Sequence, residues 1–216
     1  MTIQILDQDI AQKVASHLLE IKAIKLSPEQ PFKWSSGWNS PIYCDNRLSL
    51  SFPEIRSEIK NHLADGIKKI FPEVEAIAGV ATAGIPQGAL VADILGVPFI
   101  YVRSKPKGHG MENMIEGKVT PGQKVVLIED LISTGGSSLK AAEALKAADY
   151  KVLGMGAIFT YGFEVAEKNF NDAEVSAFCL SNYDQMLIQA QNMGYIKQEQ
   201  LETLSAWRVD PSSWNV

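Results

Sequence analysis

Two cysteines, three histidines and an excess of acid over base narrow the possibilities before any motif is read. Cys44 and Cys179 cannot build a disulfide framework, and so little cysteine suits a reducing compartment, so a cytoplasmic location is expected. His17, His62 and His109 stand far from one another and from the cysteines, which leaves no zinc-binding spacing. Lys and Arg number 20 against 25 Asp and Glu, a formal net charge of -5. A dedicated nucleic-acid binder needs a basic face, so no such partner is expected. The opening residues MTIQILDQDIAQK contain neither a basic leader nor a long apolar run, and no signal peptide is read there. The stretch from Ala76 to Val102 has the length of a membrane span and a single charge, Asp93, but Gly79, Gly84, Pro86, Gly88, Gly96 and Pro98 interrupt it. It reads as buried strand, helix and strand, with no membrane partner.

What is present is a chain of 216 residues, 46% hydrophobic, enough to bury one large core. Ile10, Val14, Leu18 and Ile21 repeat at helical spacing, which predicts a helix over 9–22 capped by Asp7 or Asp9. Residues 27–50 have no clean period; prolines and the aromatics Trp34, Trp38 and Tyr43 predict short strands and turns. Ser51-Phe52-Pro53-Glu54 reads as a capping box with proline in the first turn, opening a helix that carries Ile55, Ile59, Leu63, Ile67 and Ile70. From residue 74, apolar runs at 74–80, 98–102, 124–130, 152–160 and 175–180 alternate with helical patterns at 85–95, 137–148 and 162–170. A helix near 182–193, capped by Ser181 and stopped by Gly194, and another near 197–206 close the chain. The alternation predicts an α/β fold with a parallel twisted sheet flanked by helices. Residues 1–70 are expected to form N-terminal helices and a hood, and 71–216 the core. Ligands of such sheets sit at the carboxyl ends of the strands, just after 80, 103, 130 and 160.

The most informative of these points is Val125 to Ser138. A buried strand ends in Glu129 and Asp130, and a turn of Ser133, Thr134, Gly135, Gly136 and Ser137 opens a helix. Unsatisfied amides at a helix N-terminus and the helix dipole favour a phosphate there, and the glycines let the backbone approach it. The acids suit a sugar diol or a magnesium shell. No lysine follows Gly136, which excludes a Walker loop, and no glycine triplet has dinucleotide-binding spacing.

This segment resembles the phosphoribosyl-pyrophosphate (PRPP) motif of the type I phosphoribosyltransferases: four apolar residues, two acids, two apolar residues and a Thr-Gly-rich turn. The resemblance implies that Glu129 and Asp130 contact the ribose hydroxyls, that 133–137 hold the 5-phosphate, and that magnesium enters mainly with PRPP, near the same two acids. It also makes Ala81-Thr82-Ala83-Gly84 the pyrophosphate loop, with Thr82 and Ala83 as ligands.

Between Arg103 and residue 124 the text RSKPKGHGMENMIEGKVTPGQ shows no helical or strand pattern. A loop of that length inside a compact domain is usually functional. Arg103, Lys105, Lys107 and Lys118 outnumber Glu112 and Glu116. Cations placed on a departing pyrophosphate lower the barrier selectively, and His109 suits a proton donor to the leaving group. Met111 and Met114 are expected to shield the site on closure. Arg103, Lys107 and His109 resemble the catalytic arm of the orotate-using members of the family, which implies a homodimer whose 104–118 arm crosses into the partner's site. Ser104 stands where many members carry lysine, with Lys105 next to it.

The nucleophile must be read from the N-terminal part. Ile24-Lys25-Leu26, Phe32 to Gly37 and Ser40 to Arg47 resemble the hood of the orotate-using members, which implies a contact from Lys25 and a flat base lying along Tyr43 and Cys44. The alternative is a plain hydrophobic cover with Trp34 and Trp38 as its core. Many members grip the orotate carboxylate with an arginine after the fourth core strand; here that region is Phe159-Thr160-Tyr161-Gly162, and Arg47 is the candidate cation. Orotate phosphoribosyl transfer is the activity implied. A purine acceptor on the same core, or a PRPP-sensing regulator without chemistry, are the alternatives.

Overall fold

A computed structural model describes residues 3–34, 37–105, 114–118 and 120–214. The first strand, β1 (Ile3–Ile5), is too short to show a period and was not legible; it enters the main sheet. Helix α1 (Gln8–Glu20) follows, its N-terminus capped by Asp7, whose carboxylate accepts from the amides of Asp9 and Ile10 at 2.9 and 3.0 Å. Four strands then build two small antiparallel sheets: β2 (Ile24–Leu26) pairs with β5 (Ile42–Cys44), and β3 (Phe32–Lys33) with β4 (Asn39–Ser40). A 3-10 turn, η1 (Asn46–Ser51), leads into α2 (Pro53–Ile70).

Two expected caps fall elsewhere. Ser51 closes η1, where the Phe52 amide donates to the Ser49 carbonyl at 3.2 Å, so Phe52 takes the N-cap of α2 with no side-chain bond and the capping box does not form. Ser181 lies inside a strand and its hydroxyl donates to the Ala11 carbonyl at 2.7 Å; Asn182 caps the following helix instead.

The α/β alternation appears as expected: β6 (Ala76–Val80), α3 (Gly84–Leu95), β7 (Phe99–Val102), β8 (Ile115–Glu116), β9 (Lys124–Ile132), α4 (Gly136–Ala147), β10 (Lys151–Thr160), α5 (Glu164–Asp172), β11 (Ala177–Asn182), α6 (Tyr183–Asn192) and α7 (Gln200–Val209). The sheet order is β1-β11-β10-β9-β6-β7-β8, parallel throughout except where β8 runs antiparallel to β7. Both faces are covered, and β9 shows why: Val125 and Leu127 belong to one apolar cluster, Val126 and Ile128 to the other. The span from Ala76 to Val102 is β6, α3 and β7, and no helix among the described residues is long and apolar enough to cross a membrane.

Strand β8 corrects the expectation of a patternless segment after Arg103. The Arg103 amide donates to the Met114 carbonyl at 2.8 Å, Ile115 pairs with Val102, and Met114 is buried, where it also lines a small cavity shared with Ala81, Arg103 and Ser137. Met111 lies outside the described residues. The N-terminal 70 residues divide in two: β1, α1 and α2 pack on the sheet, and the segment between β2 and η1 forms the hood. Trp207 of α7 anchors that hood. Its indole donates to the Asn39 carbonyl at 3.1 Å, and its ring meets Trp34 edge-on at 5.5 Å.

Candidate active site

Strand β9 delivers its two acids to the carboxyl edge of the sheet. Glu129 is buried, and its Oε1 accepts from the hydroxyls of Ser137 and Ser138 at 3.3 and 3.2 Å. Burial pushes its carboxyl up to about 8, and the neighbouring charge of Asp130 adds to the shift. Burial also lifts Asp130 to about 6, with the positive charge of Arg47 acting in the opposite direction. An acid pair, Glu129 buried and Asp130 partly so, held this far above the usual range favours a cation or hydroxyl donors beside it.

Residues 133–136 turn the chain from β9 into α4. Gly135 is the N-cap at φ +83, and a Cβ there would press on the Phe170 ring at 2.6 Å, so glycine is required twice over. No side chain caps α4 and no acid stands in its first turn. Gly136 and Ser137 are exposed at the helix start, where amides and dipole favour an anion. Asn169 of α5 steadies the turn by donating to the Thr134 carbonyl at 3.0 Å.

The turn after β6 lies alongside. Ala81-Thr82 is a cis peptide, Thr82 is exposed, and the Ile85 amide donates to the Thr82 carbonyl at 3.3 Å. A small cavity of about 60 Å³ is lined by Ala81, Arg103, Ser104, Met114, Ser137 and Lys140 among others, so the turn after β6, the end of β7 and the start of α4 meet there. Arg103 pairs with Glu116 at 3.3 Å. Lys105 is exposed just beyond it, and Lys107 and His109 lie outside the described residues. The far end of the arm is tied down by Tyr150, whose hydroxyl accepts from the Thr120 amide at 3.1 Å and donates to the Lys118 carbonyl at 3.3 Å.

Next to the phosphate loop opens a cavity of about 520 Å³, lined by Lys33, Trp34, Trp38, Tyr43 and Cys44 of the hood, Leu131, Ser133 and Thr134 of the loop, and Tyr161 after β10. Tyr43 and Cys44 therefore share one cavity wall. Burial, then Asp130 and Asp45, hold the Cys44 thiol well above the ordinary value, which favours its protonated form. Trp34 and Trp38 form cavity wall, and Trp34 is also hood core, its indole donating to the Ile42 carbonyl at 3.1 Å. Lys25 and Arg47 are not among the lining residues. Lys25 faces Tyr43 across the β2–β5 ladder, and Arg47 forks onto Asp45 at 2.6 and 2.9 Å.

Several contributors escaped the sequence reading. Ser138 holds Glu129, Lys140 reaches the small cavity, and Lys33 and Leu131 line the large one. Lys140 lies one helical turn beyond Gly136, on the helix already assigned to phosphate, and that spacing is the signal that could have found it. Among the described residues no group of three or more His, Cys, Asp or Glu side chains could hold a metal ion. A divalent cation at Glu129 and Asp130 would have to take further oxygens from a bound phosphate ester.

Residues 51–183 match the family described as the phosphoribosyl transferase domain. The chain is 60% identical over 203 residues to the orotate phosphoribosyltransferase of Cytophaga hutchinsonii, covering 94% of this chain and 97% of that one. It is 58% identical over 207 residues to that of Porphyromonas gingivalis, covering 96% and 99%. The crystal structure of orotate phosphoribosyltransferase from Aeropyrum pernix superposes with a TM-score of 0.74 at 28% identity, covering 85% of this chain and 99% of that one. With the domain matched over residues 51–183 and relatives at 58% and 60% identity over nearly their full length, the chain belongs to the orotate phosphoribosyltransferase family.

Proposed function

We propose that this chain transfers the phosphoribosyl group of PRPP to orotate, giving orotidine 5′-phosphate and pyrophosphate, in the formation of pyrimidine nucleotides. The observation that carries the reading is the adjacency of an uncapped helix start, a buried acid pair and an aromatic-walled cavity along one sheet edge. The amides and hydroxyls of 133–137 bind the 5-phosphate, Glu129 and Asp130 take the ribose hydroxyls, and Thr82 and Ala83 meet the pyrophosphate. The base lies along Tyr43 and Cys44, with Lys25 and Arg47 at the hood edge as partners for its carboxylate. Arg47 would exchange Asp45 for that carboxylate, one bidentate partner for another.

In the reaction, the bond from the anomeric carbon to the pyrophosphate oxygen breaks and a bond to the orotate ring nitrogen forms. Positive charge grows on the sugar and negative charge on the leaving oxygens. Arg103, Lys105 and Lys107 stabilise the second, and His109 gives the leaving group a proton or hydrogen bond. The raised acid pair suits magnesium brought in with PRPP, which neutralises the diphosphate oxygens when bound. Hood and arm exclude water from the activated sugar. The arm serves a partner subunit's site in a homodimer, and the enzyme works in the cytoplasm.

Turnover of PRPP with orotate, adenine, hypoxanthine or xanthine in competition tests the reading. Orotidine 5′-phosphate is the expected product; a purine nucleotide would move the chain to the purine alternative, and PRPP binding without any product would make it a sensor.

A further inference from the structure

Asn46 opens η1 and is 1% exposed; it lies within the hood stretch Ser40 to Arg47, but none of the roles read there falls on it. Its amide donates to the Asp130 carbonyl at 2.7 Å, and its Oδ1 accepts from the Cys44 thiol at 3.2 Å. The Asp130 carbonyl belongs to the peptide that joins Asp130 to Leu131. One end of that peptide is an acid of the ribose pair, and the other lines the base cavity opposite Cys44. A single buried amide therefore ties the hood wall to the strand end that carries the acids. A second link runs to α3: the Ser49 hydroxyl donates to the Asn46 carbonyl at 2.6 Å, and buried Gln87 reaches the Ser49 hydroxyl at 3.5 Å. α3 begins at the turn assigned to pyrophosphate.

We infer that Asn46 is a positioning residue that locks the hood to the end of β9, so that the base cavity and the ribose acids keep a fixed relation as substrates bind. The inference rests on the transfer reading above. The bond joins elements 84 residues apart through an Asn46 side chain that is itself buried, so cutting it leaves a buried polar group without its partner. Its loss lets the two walls shift separately, and a reacting pair that must meet within a few tenths of an ångström loses rate.

The test is a double-mutant cycle on kcat/KM, with Asn46→Leu, which keeps the size and removes the donor, against Glu129→Gln. Asn46→Leu alone is expected to lower kcat/KM for both orotate and PRPP, on the order of 10-fold each, at temperatures where it remains folded. The combined loss in the double variant is expected to fall short of the product of the single losses. Independent, multiplying effects, or a lower melting temperature with unchanged kinetics, would overturn the inference and leave Asn46 merely structural. If the leucine variant does not fold, Asn46→Ser, whose hydroxyl is too short to span the gap, runs the same cycle. A wild-type protein that fails to convert orotate overturns the transfer reading instead, so the two failures are distinct.

Discussion

The backbone of Gly84 lies against the carbonyl of Ile128 so closely that a Cβ on Gly84 would stand 2.2 Å from that oxygen. This contact seats the start of α3 on the strand that ends in Glu129 and Asp130, and both partners are backbone, so neither can swing aside. Gly84→Ala is expected to cost about 3 kcal/mol or more, the upper range for overpacking a core. It should also raise KM for PRPP, because the turn at Thr82 and Ala83 moves with the helix. Thermal unfolding and initial-rate kinetics on one preparation check both effects.

The acid pair sets a pH dependence whose sign follows from its shifts. Glu129 rises from 4.5 unfolded to about 8 folded, so between those values the folded protein holds a proton that the unfolded chain has released. Stability is fully present below about 4.5 and falls as pH rises through 8. Asp130 adds a similar decline between 3.8 and about 6. The ligand-free protein should lose on the order of a few kcal/mol across this window, and Glu129→Gln should remove most of the slope above pH 6. Denaturant titrations at a series of pH values measure it.

The same proton ties binding to pH. A cation or ribose hydroxyls beside Glu129 favour its ionised form, so binding of PRPP with magnesium near neutral pH should release protons. Calorimetry in buffers of different ionisation enthalpy reads that release directly, and Glu129→Gln should abolish most of it.

How far the sequence reveals these features depends on where each signal is stored. Two acids near the end of an apolar strand, followed by Ser-Thr-Gly-Gly, carry their chemistry in consecutive letters; the structure has the turn at a helix start as read, while the strand runs two residues past the acids, to Ile132, by pairing with β10. The Asn46 bond joins residues 84 positions apart through a backbone carbonyl, which no local pattern encodes. Strand β1 has three residues and gains its place only by pairing with β11. Met114 looked like part of a mobile arm because its burial depends on β7, beside which it folds. Trp34 serves as hood core and cavity wall at once, so its aromatic character alone could not separate the roles.

The hood's contribution can be tested at Tyr43, which is 41% exposed and stands 5.7 Å from Phe32 ring to ring. Its exposure predicts little effect on stability when it is cut back. Tyr43→Ala should raise KM for orotate about 10-fold, the scale of one lost aromatic contact, and leave KM for PRPP near the wild-type value. Steady-state kinetics with each substrate varied in turn distinguishes the two.

For the arm, Lys107→Ala should lower turnover by a factor on the order of 100 or more while PRPP binding persists, as expected for a cation that acts on the leaving group in the transition state. Mixing this variant with Glu129→Gln chains should restore activity if arm and pocket come from different subunits. No recovery on mixing would mean that each chain completes its own site.

The most direct measurement is the ultraviolet absorbance of orotate incubated with the protein, PRPP and magnesium. The account predicts a fall in absorbance that needs all three and that yields orotidine 5′-phosphate with one pyrophosphate for each orotate consumed. Unchanged absorbance with an intact, folded protein would contradict it.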